Sequence, residues 1–189
     1  ASFPFDEGKG SVTANTGSCK AGHTLGRLTE PYPKWTKQTA PGGGTRALDF
    51  GSSKGAYAVD LEGGAVDELK GLTSFTITGW VNCRSNKTGA GGNRIVTTSN
   101  NGGDGFDLVF LHDGRLQIGI NQWPDRVPAV SNAGRIPVDR KAAERNWAFF
   151  AVTYNAEAAE KNVRFYFGDA GRRAAPDAAR DYRRGPVGS

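Results

Sequence analysis

The chain has 189 residues, 37% of them hydrophobic, with 27 glycines and a formal net charge of +5. That size fits one domain able to bury roughly 70% of its unfolded surface without staples, and no window approaches the ~18 consecutive apolar residues of a membrane-spanning helix. Arg172, Arg173, Arg180, Arg183 and Arg184 concentrate the positive charge near the C-terminus. With no helix-turn-helix, zinc-finger or RNA-recognition signature beside them, they argue against nucleic acid and leave an anionic polysaccharide open.

Methionine is absent, and the residues after Ala1 form neither a basic n-region nor an apolar h-region. A processed, exported chain whose signal peptide has been removed is the expectation, placing it as secreted, periplasmic or cell-surface. Cys19 and Cys83 belong to no CxxC pair, and His23 and His112 are too few for a structural zinc site. A disulfide between them and two separate buried thiols both stay open.

In chain order, the segment from Ala21 to Pro41, "AGHTLGRLTEPYPKWTKQTAP", mixes prolines and aromatics and reads as an exposed loop. "LTSFTITGWVNC" alternates, with Phe75, Ile77, Gly79, Val81 and Cys83 on one face and Thr76, Thr78, Trp80 and Asn82 on the other. "NRIVTTSN" is a shorter strand before the polar loop "NNGGDG". "FDLVFLHDGRLQIGIN" is a hairpin turning at His112-Asp113-Gly114, with Leu116, Ile118 and Ile120 sharing a face and Arg115, Gln117 and Asn121 opposite.

"NWAFFAVTY" is apolar on both faces and belongs in the middle of a sandwich, and "NVRFYF" aligns Val163, Phe165 and Phe167. The spacer "NAEAAEKN" joins them as a hairpin connection or with one helical turn. Trp80 and Trp147 are expected in the interior. Short strands, frequent turn signals and no βαβ rhythm give an all-β antiparallel sandwich or jelly roll.

The order of "FPFDEGKGSVTANTG", "ALDFGSSKGAYAVDL", "LTSFTITGWVNC", "GFDLVFLHDGRLQIGIN" and "NWAFFAVTYN...KNVRFYFGDAG" resembles a laminin-G-like, concanavalin A-like jelly-roll domain, from Phe3 to about Gly171. The resemblance implies two curved antiparallel sheets in an extracellular protein. It also implies carbohydrate or protein binding and, in many members, a calcium ion at the rim. The departure lies at the end. "RRAAPDAARDYRRGPVGS" has few strand formers and contains two prolines. Residues 172–189 therefore read as a mobile arginine-rich tail or an incomplete closing segment. The "FPFDEG" segment then lacks its usual neighbour, leaving a sheet edge open to association or completion by a second polypeptide.

Catalysis finds little support. Retaining glycosidases need two carboxylates ~5 to 5.5 Å apart on one face, whereas Glu62, Asp67 and Glu68 have the wrong spacing. "RLQIGIN" aligns Arg115 and Gln117 but puts Gly119 where a lyase would want a histidine. A non-catalytic carbohydrate-binding module is the preferred reading; a protein-interaction or adhesion module is the alternative, with a polysaccharide-degrading domain behind both. "INQWPDR" gathers Asn121, Gln122, Trp123, Asp125 and Arg126, an aromatic plane with planar polar groups of the kind that holds a sugar. Tyr32 and Trp35 form a second candidate platform. For calcium, which takes six to eight oxygens, the candidates are Asn100, Asn101, Asp104 and Asp107, with Asp6 and Glu7.

Overall fold

The computed structural model describes residues 1–18, 25–28, 33–41, 43–51, 59–61, 67–83, 93–98, 103–122, 126–138 and 146–188. The chain groups into two compact units, Ala1–Val66 and Asp67–Ser189.

The N-terminal unit is built from short strands: β1 (Val12–Ala14), β2 (Leu25–Leu28), β3 (Lys34–Thr36), β4 (Ala47–Asp49) and β5 (Val59–Leu61). They form an antiparallel three-stranded sheet in the order β1-β2-β5 and a separate β3-β4 pair. Gly26 sits at the centre of the larger sheet because a Cβ there would lie 2.7 Å from a methyl of Val59 and 3.0 Å from one of Thr13. The stretch from Ala21 to Pro41, expected as an exposed loop, instead contributes β2 and β3 and buries Leu28. Pairing with partners distant in sequence overrides its turn-like composition.

Among its described residues the C-terminal unit is all-β apart from one 3-10 turn at Asp67–Leu69, and it is a β-sandwich. Its strands are β6 (Ser74–Asn82), β7 (Asn93–Thr97), β8 (Phe106–Phe110), β9 (Leu116–Ile120), β10 (Ala129–Val130), β11 (Trp147–Asn155), β12 (Val163–Asp169) and β13 (Ala175–Arg180). One antiparallel sheet runs β13-β12-β11-β6 and the other β10-β9-β8-β7.

The core lies between these sheets. Leu116, Ile118 and Ile120 from one sheet and Val152, Val163 and Phe165 from the other are 0% exposed. At ~1.5 to 3 kcal/mol per fully buried large side chain, such residues dominate the drive to fold. Phe75 links the layers, its ring 5.2 Å from that of Phe106 and 5.5 Å from that of Tyr154. Gly79 gives Phe150 its room, since a Cβ there would stand 2.9 Å from the tip of that ring.

The β8–β9 hairpin turns where expected, with Leu111 donating to Arg115 O at 2.8 Å and Gly114 at φ 80°. Between β11 and β12 the connection is a turn held by Asn162, whose Nδ2 donates to Asn155 O at 3.0 Å and Ala158 O at 2.6 Å.

Residues 172–188 are not a mobile tail. The β13 strand pairs with β12 from Val163↔Arg180 to Phe167↔Ala175, with a bulge beside Phe165 and Tyr166. Pro176 is tolerated because β13 ends the strand order, where one side needs no ladder donor. Beyond it the chain closes one end of the core. Tyr182 and Val187 are buried. Ile120 N donates to Tyr182 Oη at 2.9 Å, and Tyr154 Oη donates to Gly185 O at 2.7 Å. The Phe3–Gly8 segment forms no strand, and β13 takes β12 as its ladder neighbour.

Candidate functional site

Strand alternation gives the β13-β12-β11-β6 sheet a second, outward face. Its rows follow from the register: Asn82 opposite Trp147; Trp80 with Phe149 and Gly168; Thr78 with Ala151, Tyr166 and Pro176; Thr76 with Thr153, Arg164 and Ala179. Trp80, Trp147, Phe149 and Tyr166 are half-buried, while Thr76, Thr78 and Arg164 are exposed. Trp80 and Phe149 meet edge to face, ring centroids 5.4 Å apart at 64°. Trp80 and Trp147, expected in the interior, thus stand on the wet side of the sheet. Both faces of β11 are apolar in sequence, and the core took the one carrying Ala148, Phe150, Val152 and Tyr154.

A pocket of about 150 Å³ opens at the β12–β13 bulge, bordered by Arg164, Tyr166, Pro176, Asp177 and Ala179. The Asp177 carboxylate accepts from Asn132 N at 2.9 Å and pairs with the Arg135 guanidinium. Its side chain is only 3% exposed.

The sugar platform expected around Trp123 is not assembled by the described residues. Trp123 and Asp125 lie outside them, and Gln122 and Arg126 are exposed. Asn121 is a structural clamp. Its Nδ2 donates to Arg184 O at 2.9 Å and Pro186 O at 2.6 Å, and its Oδ1 accepts from Gly188 N at 2.7 Å. Left-handed backbone at φ 55°, which asparagine tolerates better than most residues, aims that amide at the C-terminal segment. Of the second platform, Tyr32 lies outside the described residues. Trp35 is half-buried, its Nε1 donating to Gly10 O at 2.8 Å.

The calcium candidates are likewise dispersed among other tasks. Asn100 and Asn101 lie outside the described residues, and Asp104 is exposed. Asp107 is 4% exposed and accepts from Arg94 Nε at 3.0 Å. Burial pushes its carboxyl above the usual range, opposed by the Arg94 charge. Asp6 accepts from Thr45 N at 2.7 Å, and Glu7 from Ala14 N at 2.7 Å and Thr13 Oγ1 at 3.1 Å. No group of three His, Cys, Asp or Glu side chains suited to a metal occurs among the described residues. Cys83 is buried in the core, and Cys19 lies outside the described residues. No helix among the described residues is long and apolar enough to cross a membrane.

The C-terminal arginines act largely as staples. Arg172 pairs with Asp169 at 2.6 Å, which holds that carboxyl below its usual range. Arg180 Nε donates to Val130 O at 2.9 Å, and Arg183 bonds to Ala159 O. Arg184 donates to Val127 O at 3.2 Å and lies 4.3 Å from the centre of the Tyr182 ring. Compared with models of known protein families, with curated proteins and with solved structures, the chain matches none.

Proposed function

We propose that the C-terminal unit is a non-catalytic carbohydrate-binding module of an exported protein, a jelly roll of the laminin-G-like, concanavalin A-like kind, and that its ligand lies across the outer face of the β13-β12-β11-β6 sheet. One observation carries the reading: Trp80, Phe149, Trp147 and Tyr166 form a half-buried aromatic strip flanked by Thr76, Thr78 and Thr153. A pyranose presents apolar C–H faces and a rim of hydroxyls. Aromatic planes cover the first and short polar side chains meet the second. Aromatics, threonines, Asn82 and Arg164 are among the side chains that the described residues place on this face, a mixture suited to holding a glycan.

The test is a glycan array and polysaccharide affinity gels with the 189-residue chain and its Trp80→Ala variant. Loss of a central aromatic anchor weakens binding at least about tenfold. Binding that survives Trp80→Ala unchanged removes this face as the site. A chain that retains no glycan favours the protein-interaction reading.

A further inference from the structure

Arg164 stands on the same outer face, four residues along β12 from Gly168 in the Trp80–Phe149 row, a span of about 13 Å. It is exposed and bonds to no described residue. Its neighbours differ: Arg135, Arg172, Arg180, Arg183 and Arg184 each bond to a carboxylate or a carbonyl. Arg173, also without such a bond, lies in the β12–β13 turn and not on the strip. Arg164 also borders the pocket of about 150 Å³ at the bulge. The one carboxylate bordering that pocket, Asp177, is already held by Arg135 and Asn132. An unanswered guanidinium therefore sits beside a pocket at one end of an otherwise uncharged aromatic strip.

We propose that the ligand is an acidic polysaccharide, and that Arg164 takes one of its anionic groups, a carboxylate or a sulfate, at the mouth of this pocket. This rests on the carbohydrate reading and narrows it to a class. The guanidinium fork matches two oxygens of either group, and such charge-assisted pairs are roughly twice as strong as neutral hydrogen bonds. A single arginine at one end of the strip reads one charged substituent, while the aromatics carry the sugar rings.

Two polymer pairs that differ chiefly in charge test it: polygalacturonate against its methyl ester, and dextran sulfate against dextran. With the full chain, at least one acidic member binds about tenfold tighter than its neutral counterpart. The pair that shows this tells carboxylate from sulfate. Arg164→Gln removes the preference, Arg164→Lys keeps part of it, and Lys70→Gln, an equal charge change at an exposed turn, leaves it intact. Because Arg164 is exposed, an unchanged melting temperature shows that the variant is folded. A preference that survives Arg164→Gln, or equal binding of acidic and neutral polymers, overturns the inference. Loss of binding in Trp80→Ala would then still support the carbohydrate reading. A chain that binds none of the four polymers overturns the inference, and the glycan array then decides the carbohydrate reading separately.

Discussion

The two faces of β11 carry nearly the same apolar content and have opposite fates. Ala148, Phe150, Val152 and Tyr154 point inward and are buried, while Trp147, Phe149 and Ala151 point outward and are half-buried. Inside, Phe150 fills the room that Gly79 leaves. Outside, the one aromatic partner of Phe149 among the described residues is Trp80, met edge to face. Apolar character brings a residue into a strand; what stands opposite decides whether it becomes core or contact surface.

The largest expected effect separates those faces directly. Phe150→Ala should cost about 3 to 5 kcal/mol, because the cavity adds to the lost transfer energy, whereas Phe149→Ala should cost under about 2. Urea unfolding of both variants checks this; similar losses would mean that the outer face is packed like the inner one.

A smaller effect concerns the closure of the inner side by the C-terminal segment. Asn121→Ala should cost about 1 to 3 kcal/mol, since it removes the hydrogen bonds that one side chain makes to Arg184 O, Pro186 O and Gly188 N. Hydrogen exchange should then speed up at Val187, whose amide donates to Leu72 O at 3.0 Å. Unaltered protection there would show that the segment closes the core without Asn121.

The smallest effect lies on the outward face of the other sheet, where Asp107 is buried beside Arg94. Its folded pKa is raised above 3.8, so the folded state holds this proton more tightly than the unfolded chain. The group's relative contribution to stability is greatest below 3.8 and declines as pH rises through the raised value. Asp107→Asn removes that slope, so the variant should gain on the native chain between acid and neutral pH. Chemical unfolding at both ends of the range measures the difference, and parallel curves would contradict it.

Much of the sandwich was legible in the chain. Period-2 alternation at Phe75, Ile77 and Val81 and at Leu116, Ile118 and Ile120, with glycine at the His112–Gly114 turn, marks strands through local geometry alone. The edge strand at 175–180 was not legible. Its alanines and proline carry no strand preference, and the strand exists through its bonds to β12 and the burial of Tyr182 and Val187 beyond it. The candidate site was half legible. The alternation of β6 already sets Trp80 on the face of Thr76 and Thr78, whereas the side taken by Trp147 has no signature because both faces of β11 are greasy. Asn121 looked free to meet a sugar because the carbonyls it binds lie more than 60 residues away.

The sequence by itself determined the β class, the alternation and the hairpin turn, because these depend on neighbours one to four residues apart. Only the tertiary structure decided which apolar face became core, that the arginine-rich end would be a strand and a clasp, and that Arg164 would be left unanswered. Each of those outcomes depends on what a distant strand brings opposite the residue, and local pattern holds no record of it.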